Sequence, residues 1–515
     1  MVGQAADRAH PGRCFLFFES QQVPADTLLE CDVCIVGGGP AGITIAQEFA
    51  NSRHNVILLE SGGIQFDRAT QELYSGQNIG RKYSDPKDTD LRLRFFGGAT
   101  NHWGGWCAMP YPLDFQVRED IQYSGWPFPL SHLSPWYTRA QQVCRIGPYG
   151  FDPSEWGMNL SDIPAPFTGP HFGCEIIRVS RPIVRFGPAY GPGLELAKNV
   201  RVFLNATGMD FEIGADAATV KTLKVGSLSG RRFSVRARIY VLAGGAIENA
   251  RVLLWSRSQT KVGFGNDHDL VGRFFMPHLA YTGGIVVLLN RSIDPQFFHP
   301  NNLHIRDGRS LRYIRTFSLS ENTRRERHLP SLRFALYPPD ADTMEIIRKN
   351  SSTRQMKDLG EPLSARVLVA RINAEQLPNP ASRITLSQER DALGMQAVLI
   401  DWQLTAKDKD AMVAAHRLFG AELGRVGLGR YQSLVPQDEG SWPDDMVGNG
   451  HTMGTTRMHR DPRYGVVDEN CRVHGMQNLY VAGSSVFPTA GSFNPTLTLV
   501  ALALRLADHV KEAPL

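Results

Sequence analysis

The chain has 515 residues, 42% of them hydrophobic and 21% charged, with 55 basic against 51 acidic side chains and a formal net charge of +4. That length fits two or three domains with ample core, and so mild a charge gives no basis for nucleic-acid or membrane-surface binding. The seven cysteines (Cys14, Cys31, Cys34, Cys107, Cys144, Cys174 and Cys471) are odd in number and unpatterned, which reads as reduced thiols. With no span long enough for a bilayer, a soluble cytoplasmic protein is expected.

Residues 1–30 read as an irregular lead-in, and "CFLFF" within them is too short for a signal peptide. Next comes "CDVCIVGGGPAGITIAQEFANSRHNVILLESGG", Cys31–Gly63. Val33–Val36 is a buried strand, Ala41–Ala50 a helix and Val56–Leu59 a second strand, so the stretch is a β-α-β unit on a parallel sheet. Gly37, Gly39 and Gly42 fall between strand and helix in the order G-x-G-x-x-G, and Glu60 ends the second strand. This is the dinucleotide fingerprint in its required setting. The first two glycines let backbone approach a pyrophosphate, the third permits close helix–strand packing, and the helix N-terminus offers partial positive charge. Glu60 accepts from a ribose. The motif alone does not separate FAD from NAD.

"RFFGGATNHWGGWCAMP", Arg94–Pro110, sets four glycines, His102, Trp103 and Trp106 in one loop. Glycine pairs let backbone lie flat against a planar ligand, and the tryptophans supply rigid walls. A surface loop with aromatics folded back is the structural alternative. No second G-x-G-x-x-G exists, which speaks against separate flavin and nicotinamide folds.

Residues 199–245 read as consecutive strands with turns between them. Arg273 and His278 stand where the chain crosses to a later sheet block, and both are candidates for the pocket rim. The Pro- and charge-rich region 290–360 reads as containing a mobile loop at the pocket edge. In "EQLPNP", Glu375 and Gln376 could reach a substrate, but turn chemistry from the prolines is the favoured reading. Strands at 382–386 and 397–405 flank the turn Glu389–Gly394. A helix then carries apolar Met412, Ala415, Phe419, Leu423 and Val426 at steps of three and four. Near the C-terminus, "GNGHTMGTTRM" holds one histidine, His451, without a metal-ligand partner at useful spacing. "NLYVAGSSVFP" reads as a buried strand. In "SSVFPTAGSFNPTLTLVALALRLADHV", Asn494 and Pro495 read as N-cap and first residue of a long apolar helix.

Together, "CIVGGGPAGITIA…ILLESGG", "GGATNHWGGW", "RARIYVLAGGAIENARVLL", "GHTMGTTRM" and "SSVFPTAGSFNPTLT" make the chain resemble the glucose–methanol–choline (GMC) family of FAD-dependent oxidoreductases over most of its length. It looks most like the pyranose oxidase and glucoside 3-dehydrogenase branch. The resemblance implies an α/β fold in which a Rossmann-like FAD-binding domain (31–165, 199–278 and 446–515) receives an inserted antiparallel-sheet substrate domain (166–198 and 279–445). It implies FAD contacts from Gly37, Gly39, Pro40, Ala41, Gly42, Glu60 and Ser61, and from Gly97, Gly98, Thr100, Asn101, His102, Trp103, Gly104 and Gly105. It adds Ala243, Gly244, Gly483, Ser484, Asn494, Pro495 and Thr496.

The same resemblance implies that His451 takes the proton of a small-molecule alcohol while Asn494 holds the hydroxyl and flavin N5 accepts the hydride. A neutral imidazole suits that proton transfer, and a carboxamide holds a hydroxyl without competing for it. Noncovalent FAD, with contacts from Asn101 and His102, is favoured over a covalent bond at His102. The expected activity is oxidation of a sugar, glycoside or hydroxylated metabolite to the carbonyl, with oxygen or another acceptor removing the electrons. A non-redox lyase on the same fold and a protein keeping FAD as a relic are the alternatives. The sequence leaves the oligomeric state open.

Overall fold

The computed structural model describes residues 17–513, except 82, 84–86, 148–149, 157–168, 258–259, 261, 290–292, 294–297, 299–301, 307–308, 342–343, 346–365 and 439. Two large sheets dominate it. The first has eight strands in the order Phe17–Glu19, Val200–Leu204, Val56–Leu59, Leu28–Val36, Arg232–Leu242, Val220–Gly226 and Thr207–Ile213. Leu479–Val481 pairs beside the C-terminal half of Arg232–Leu242.

The first five strands of this order run parallel, as does Leu479–Val481. Val33–Val36 and Val56–Leu59 are buried throughout, as strands covered on both faces must be. Helix Pro40–Phe49 returns the chain between them and packs against Thr496–Glu512, whose residues 497–504 are all buried. The lead-in is not irregular throughout. Phe17–Glu19 is an edge strand, because Phe17 and Phe18 pack on Phe96 and Phe203 at ring distances of 5.3 and 5.2 Å. Residues 1–16 lie outside the described residues.

The second sheet has nine strands, all antiparallel. Their order is Gly429–Ser433, Met276–Leu288, Val367–Ala374, Leu332–Tyr337, Arg309–Leu319, Phe172–Val179 and Trp106–Cys107, with Asn302–Arg306 and Val447–Met453 attached. Helix Ala406–Arg425 opens with a Thr405–Asp408 capping box. It lays Phe419 on the sheet, stacked on Phe334 with ring centroids 3.9 Å apart. Of the apolar positions expected on this helix, Met412, Ala415, Phe419 and Leu423 are buried, and Val426 forms its C-cap.

The described part of 290–360 is not a loop. It supplies three strands and the helix Glu321–Glu326, and Phe317 and Phe334 are fully buried. Leu311, Tyr313, Phe317 and Leu319 on one face of the strand are buried, and so are Ile314, Thr316 and Ser318 on the other, a pattern that Arg312 and Arg315 obscure in a composition reading. Residues 346–360, part of the region read as a mobile pocket-edge loop, lie outside the described residues. Among the described residues no helix is long and apolar enough to cross a membrane.

Candidate active site

The carboxyl ends of the parallel strands open into a cavity of about 1200 Å³ that runs on to the face of the second sheet. Such strand ends are where open α/β sheets hold ligands. At this end the cavity is walled by Gly37, Gly39, Pro40 and Ala41, by Glu60 and Ser61, and by Ala243 and Gly244. Gly37 has φ +114°, and a Cβ there would lie 2.6 Å from the Ala243 carbonyl oxygen. Only glycine fits so tight a turn. A Cβ on Gly42 would lie 1.9 Å from the Gly37 oxygen, so Gly42 serves close packing and does not itself reach the cavity. A Cβ on Gly39 would meet nothing within 4 Å and would project into open space.

The Glu60 carboxylate is buried and accepts from the Gly38 and Gly62 amides at 2.7 and 2.8 Å. Burial pushes its pKa up, and those two amides pull it back. It therefore pins the glycine turn while lining the cavity. Ser61 joins Thr207 and Arg94 through its hydroxyl. Arg94 continues to Glu248, and Arg251 bridges Glu248 and Asp391. This buried charge cluster escaped the sequence reading, because its charged members are scattered over three segments.

The Asn-His-Trp loop forms the next wall. Gly98, Thr100, His102, Trp103 and Gly104 line the cavity. Gly97, Asn101 and Gly105 do not: Asn101 donates back to the Phe96 carbonyl at 3.0 Å, and Gly105 packs near Ser180 and Ile183. Trp103 is fixed by its indole N–H to the Val184 carbonyl, 2.7 Å. Burial lowers the His102 pKa.

Gly483, Ser484, Asn494, Pro495 and Thr496 reach the cavity from the C-terminal segment. Asn494 does not cap its helix. The helix starts at Thr496 with Pro495 at the N-cap, whose side chain has no polar atom to cap with, and the Pro495 carbonyl takes the first helical bond from Leu499, 2.9 Å. Asn494 is only 7% exposed, yet among the described residues its amide has no hydrogen-bond partner. It faces the cavity with its donors and acceptor unspent, beside the positive end of a buried helix.

His451 arrives on Val447–Met453, which pairs with Met276–Leu288. Pro277 lies opposite Thr452 and Leu279 opposite Gly448, so three residues, Asn449 to His451, bulge against His278 alone. Bulges re-aim side chains beside active sites, and here all three line the cavity. His451 Nδ1 lies 3.0 Å from His278 Nδ1. Burial holds the His451 pKa down at about 4. His278 is fully buried and also titrates well below the usual range, first from burial and then from His451.

Asn373 and Asn449 complete the wall, and neither was singled out in the sequence. Glu375 and Gln376 point elsewhere. Glu375 accepts from the Ser331 and Gly491 amides, and Gln376 bonds Trp402 and Gln403. Arg273 pairs with Asp269 and the Pro380 carbonyl.

A glycine cradle at strand ends, a pinned acid and a cavity of about 1200 Å³ that also takes in His451 and Asn494 fit an FAD molecule. Such a site suits an FAD-dependent oxidoreductase. A family model for GMC oxidoreductases matches residues 378–503. The chain is 26% identical to the 6'''-hydroxyparomomycin C oxidase of Streptomyces lividus over 544 residues, covering 93% of this chain and 92% of that one. It is 37% identical to the C-glycoside 3-oxidase of Arthrobacter globiformis over 123 residues, 24% of this chain and 22% of that one. The crystal structure of pyridoxine 4-oxidase from Mesorbium loti superposes with a TM-score of 0.60 at 19% identity, covering 93% of this chain and 99% of that one. Residues 378–503 thus carry the GMC oxidoreductase C-terminal pattern, and the chain is similar to such oxidases over nearly its whole length. These similar proteins are oxidases, and nothing in the comparison supports the lyase alternative.

Proposed function

We propose that the protein oxidises a CH–OH group of a sugar, glycoside or similarly hydroxylated small molecule to the carbonyl, with His451 as proton acceptor and Asn494 as hydroxyl anchor. The observation that carries this reading is the cavity itself. A neutral, cavity-lining imidazole and an unpaired buried carboxamide share one space with the glycine cradle. FAD, when bound, supplies the two-electron acceptor, and oxygen or another acceptor then clears the electrons. The first sheet carries the cofactor and the second covers the substrate. Relatives whose names specify glycosides or aminoglycosides support the sugar-like class.

The test is anaerobic mixing of the holoenzyme with sugars, glycosides and aromatic alcohols. Flavin absorbance bleaches with at least one of them under this reading. A flavin that stays oxidised with every alcohol overturns it.

The pH dependence has a definite sign. A histidine whose pKa is pushed down to about 4 is neutral, and able to take a proton, above that value. The rate of flavin reduction therefore stays flat from neutral pH down to about 5 and falls as the pH drops through 4. A pre-steady-state pH profile with its acid limb near the ordinary histidine value of about 6.5 contradicts this.

We further read the FAD as noncovalently held. After acid precipitation the yellow colour stays in the supernatant. Flavin in the washed pellet reverses the reading.

A further inference from the structure

We propose that His278 is a positioning residue that holds His451 in the tautomer protonated at Nδ1, so that Nε2 faces the cavity as the free base. The inference deepens the reading of His451 as proton acceptor and rests on it.

Two backbone anchors set the hydrogen-bond directions around the two rings. The His451 N–H donates to Asn449 Oδ1 at 2.9 Å. That contact fixes which end of the Asn449 amide is oxygen, since an N–H needs an acceptor. Asn449 Nδ2 must then be the donor to Asn373 Oδ1 at 3.2 Å. Asn373 Nδ2 accordingly has two hydrogens to place. One goes to the Ser492 carbonyl at 2.8 Å, the second anchor, and the other points to His278 Nδ1 at 3.2 Å. On its far side, His278 Nε2 lies 3.2 Å from the Ala490 carbonyl oxygen. A carbonyl only accepts, so Nε2 carries the proton. In a neutral ring Nδ1 is then a bare acceptor.

Both sides thus assign the same tautomer to His278, which is 0% exposed. Burial, the neighbouring His451 and the Arg333 guanidinium keep it uncharged, against the opposing Ala490 and Gly491 backbone groups. His451 Nδ1, 3.0 Å from that acceptor and nearer than Asn373 Nδ2 at 3.2 Å, donates to it, the two N–H groups sharing the one Nδ1 lone pair. The two rings meet nearly edge to face, at 87° and 5.1 Å between centroids. The opposite tautomer of His451 would set two bare nitrogens against each other in a buried site. With the proton fixed on Nδ1, the lone pair is on Nε2, which has no protein partner among the described residues and belongs to a side chain lining the cavity. When the substrate hydroxyl gives up its proton to Nε2, the Nδ1–H bond to His278 remains and steadies the imidazolium. Which nitrogen is protonated is set by the hydrogen bond the other makes.

The tautomer is read directly from the ring-nitrogen shifts of histidine-labelled holoenzyme. Among the Nδ1–H histidine signals of the wild type, which include His54 and His132 because arginines donate to their Nε2, one disappears in His451→Ala. His278→Asn presents an oxygen the same number of bonds from Cα and keeps that signal. His278→Leu loses it to the Nε2–H form or to a mixture. In anaerobic flavin reduction, with the alcohol that bleaches wild type fastest, His278→Leu slows the limiting rate roughly 10–100-fold, the range for removing a partner that orients a histidine. Substrate dissociation constant and bound flavin are unchanged, and His278→Asn restores most of the rate. A wild-type His451 protonated at Nε2 overturns the proposal, as does a His278→Leu enzyme reduced at the wild-type rate. If His278→Leu does not fold, the wild-type and His278→Asn spectra decide. A His451→Ala enzyme reduced as fast as wild type sinks the assignment of His451 as base, while the tautomer signal still reports on His278.

Discussion

Replacing His451 with alanine slows flavin reduction by about 10²–10⁴-fold, the range that a well-placed general base contributes, while FAD content and melting temperature stay near wild type. The expectation follows from where the ring sits. His451 lines the cavity on a bulged strand whose ladder partners are backbone groups, so truncation leaves the sheet pairing intact. Its side chain has one described bond, to His278. His278 keeps the Ala490 carbonyl and Asn373 as partners after the change. The loss therefore falls on the chemical step. Stopped-flow reduction under nitrogen measures it, with the limiting rate separated from substrate affinity. A limiting rate within a few-fold of wild type removes His451 from the role of base.

Gly42→Ala weakens FAD binding. The added methyl would lie 1.9 Å from the Gly37 carbonyl oxygen, and that carbonyl cannot retreat. Gly37 is itself wedged, with φ +114° and the Ala243 carbonyl 2.6 Å from where its own Cβ would be. The helix Pro40–Phe49 must swing away from the strand Leu28–Val36, which opens the turn that Glu60 pins through Gly38. Overpacking of this kind costs about 1–3 kcal/mol, or roughly 5–150-fold in affinity if it falls on the bound state. Gly39→Ala is the contrasting variant. Its methyl meets no protein atom within 4 Å, so the chain keeps its melting temperature but pushes a group into the cavity. Flavin absorbance per protein, together with thermal unfolding of the apoprotein, separates the two. A Gly42→Ala protein that is as stable and as yellow as wild type contradicts the packing role of the third glycine.

What could be read from the sequence follows the reach of the contacts. The nucleotide cradle is local. Strand, turn, helix, strand and acid lie within 33 residues, and the strand Val56–Leu59 matches the expected bounds. The His451 and Asn494 positions were legible only through resemblance, since nothing near either in sequence marks it as chemical. The partners of His451 were not legible as partners. His278, Asn373 and Asn449 stand on three strands, Met276–Leu288, Val367–Ala374 and Val447–Met453. They meet through antiparallel register and a three-residue bulge, neither of which composition or spacing records. Asn494 shows the opposite failure. Asn-Pro before an apolar run is a sound helix start by local rules. Here the amide is withheld from its own helix and left to the cavity.

The most direct measurement is a crystal structure of the FAD-loaded protein. His451 Nε2 and the Asn494 carboxamide are predicted to lie over the same face of the isoalloxazine, within hydrogen-bond reach of one shared point. Density that places either side chain away from the ring contradicts the account.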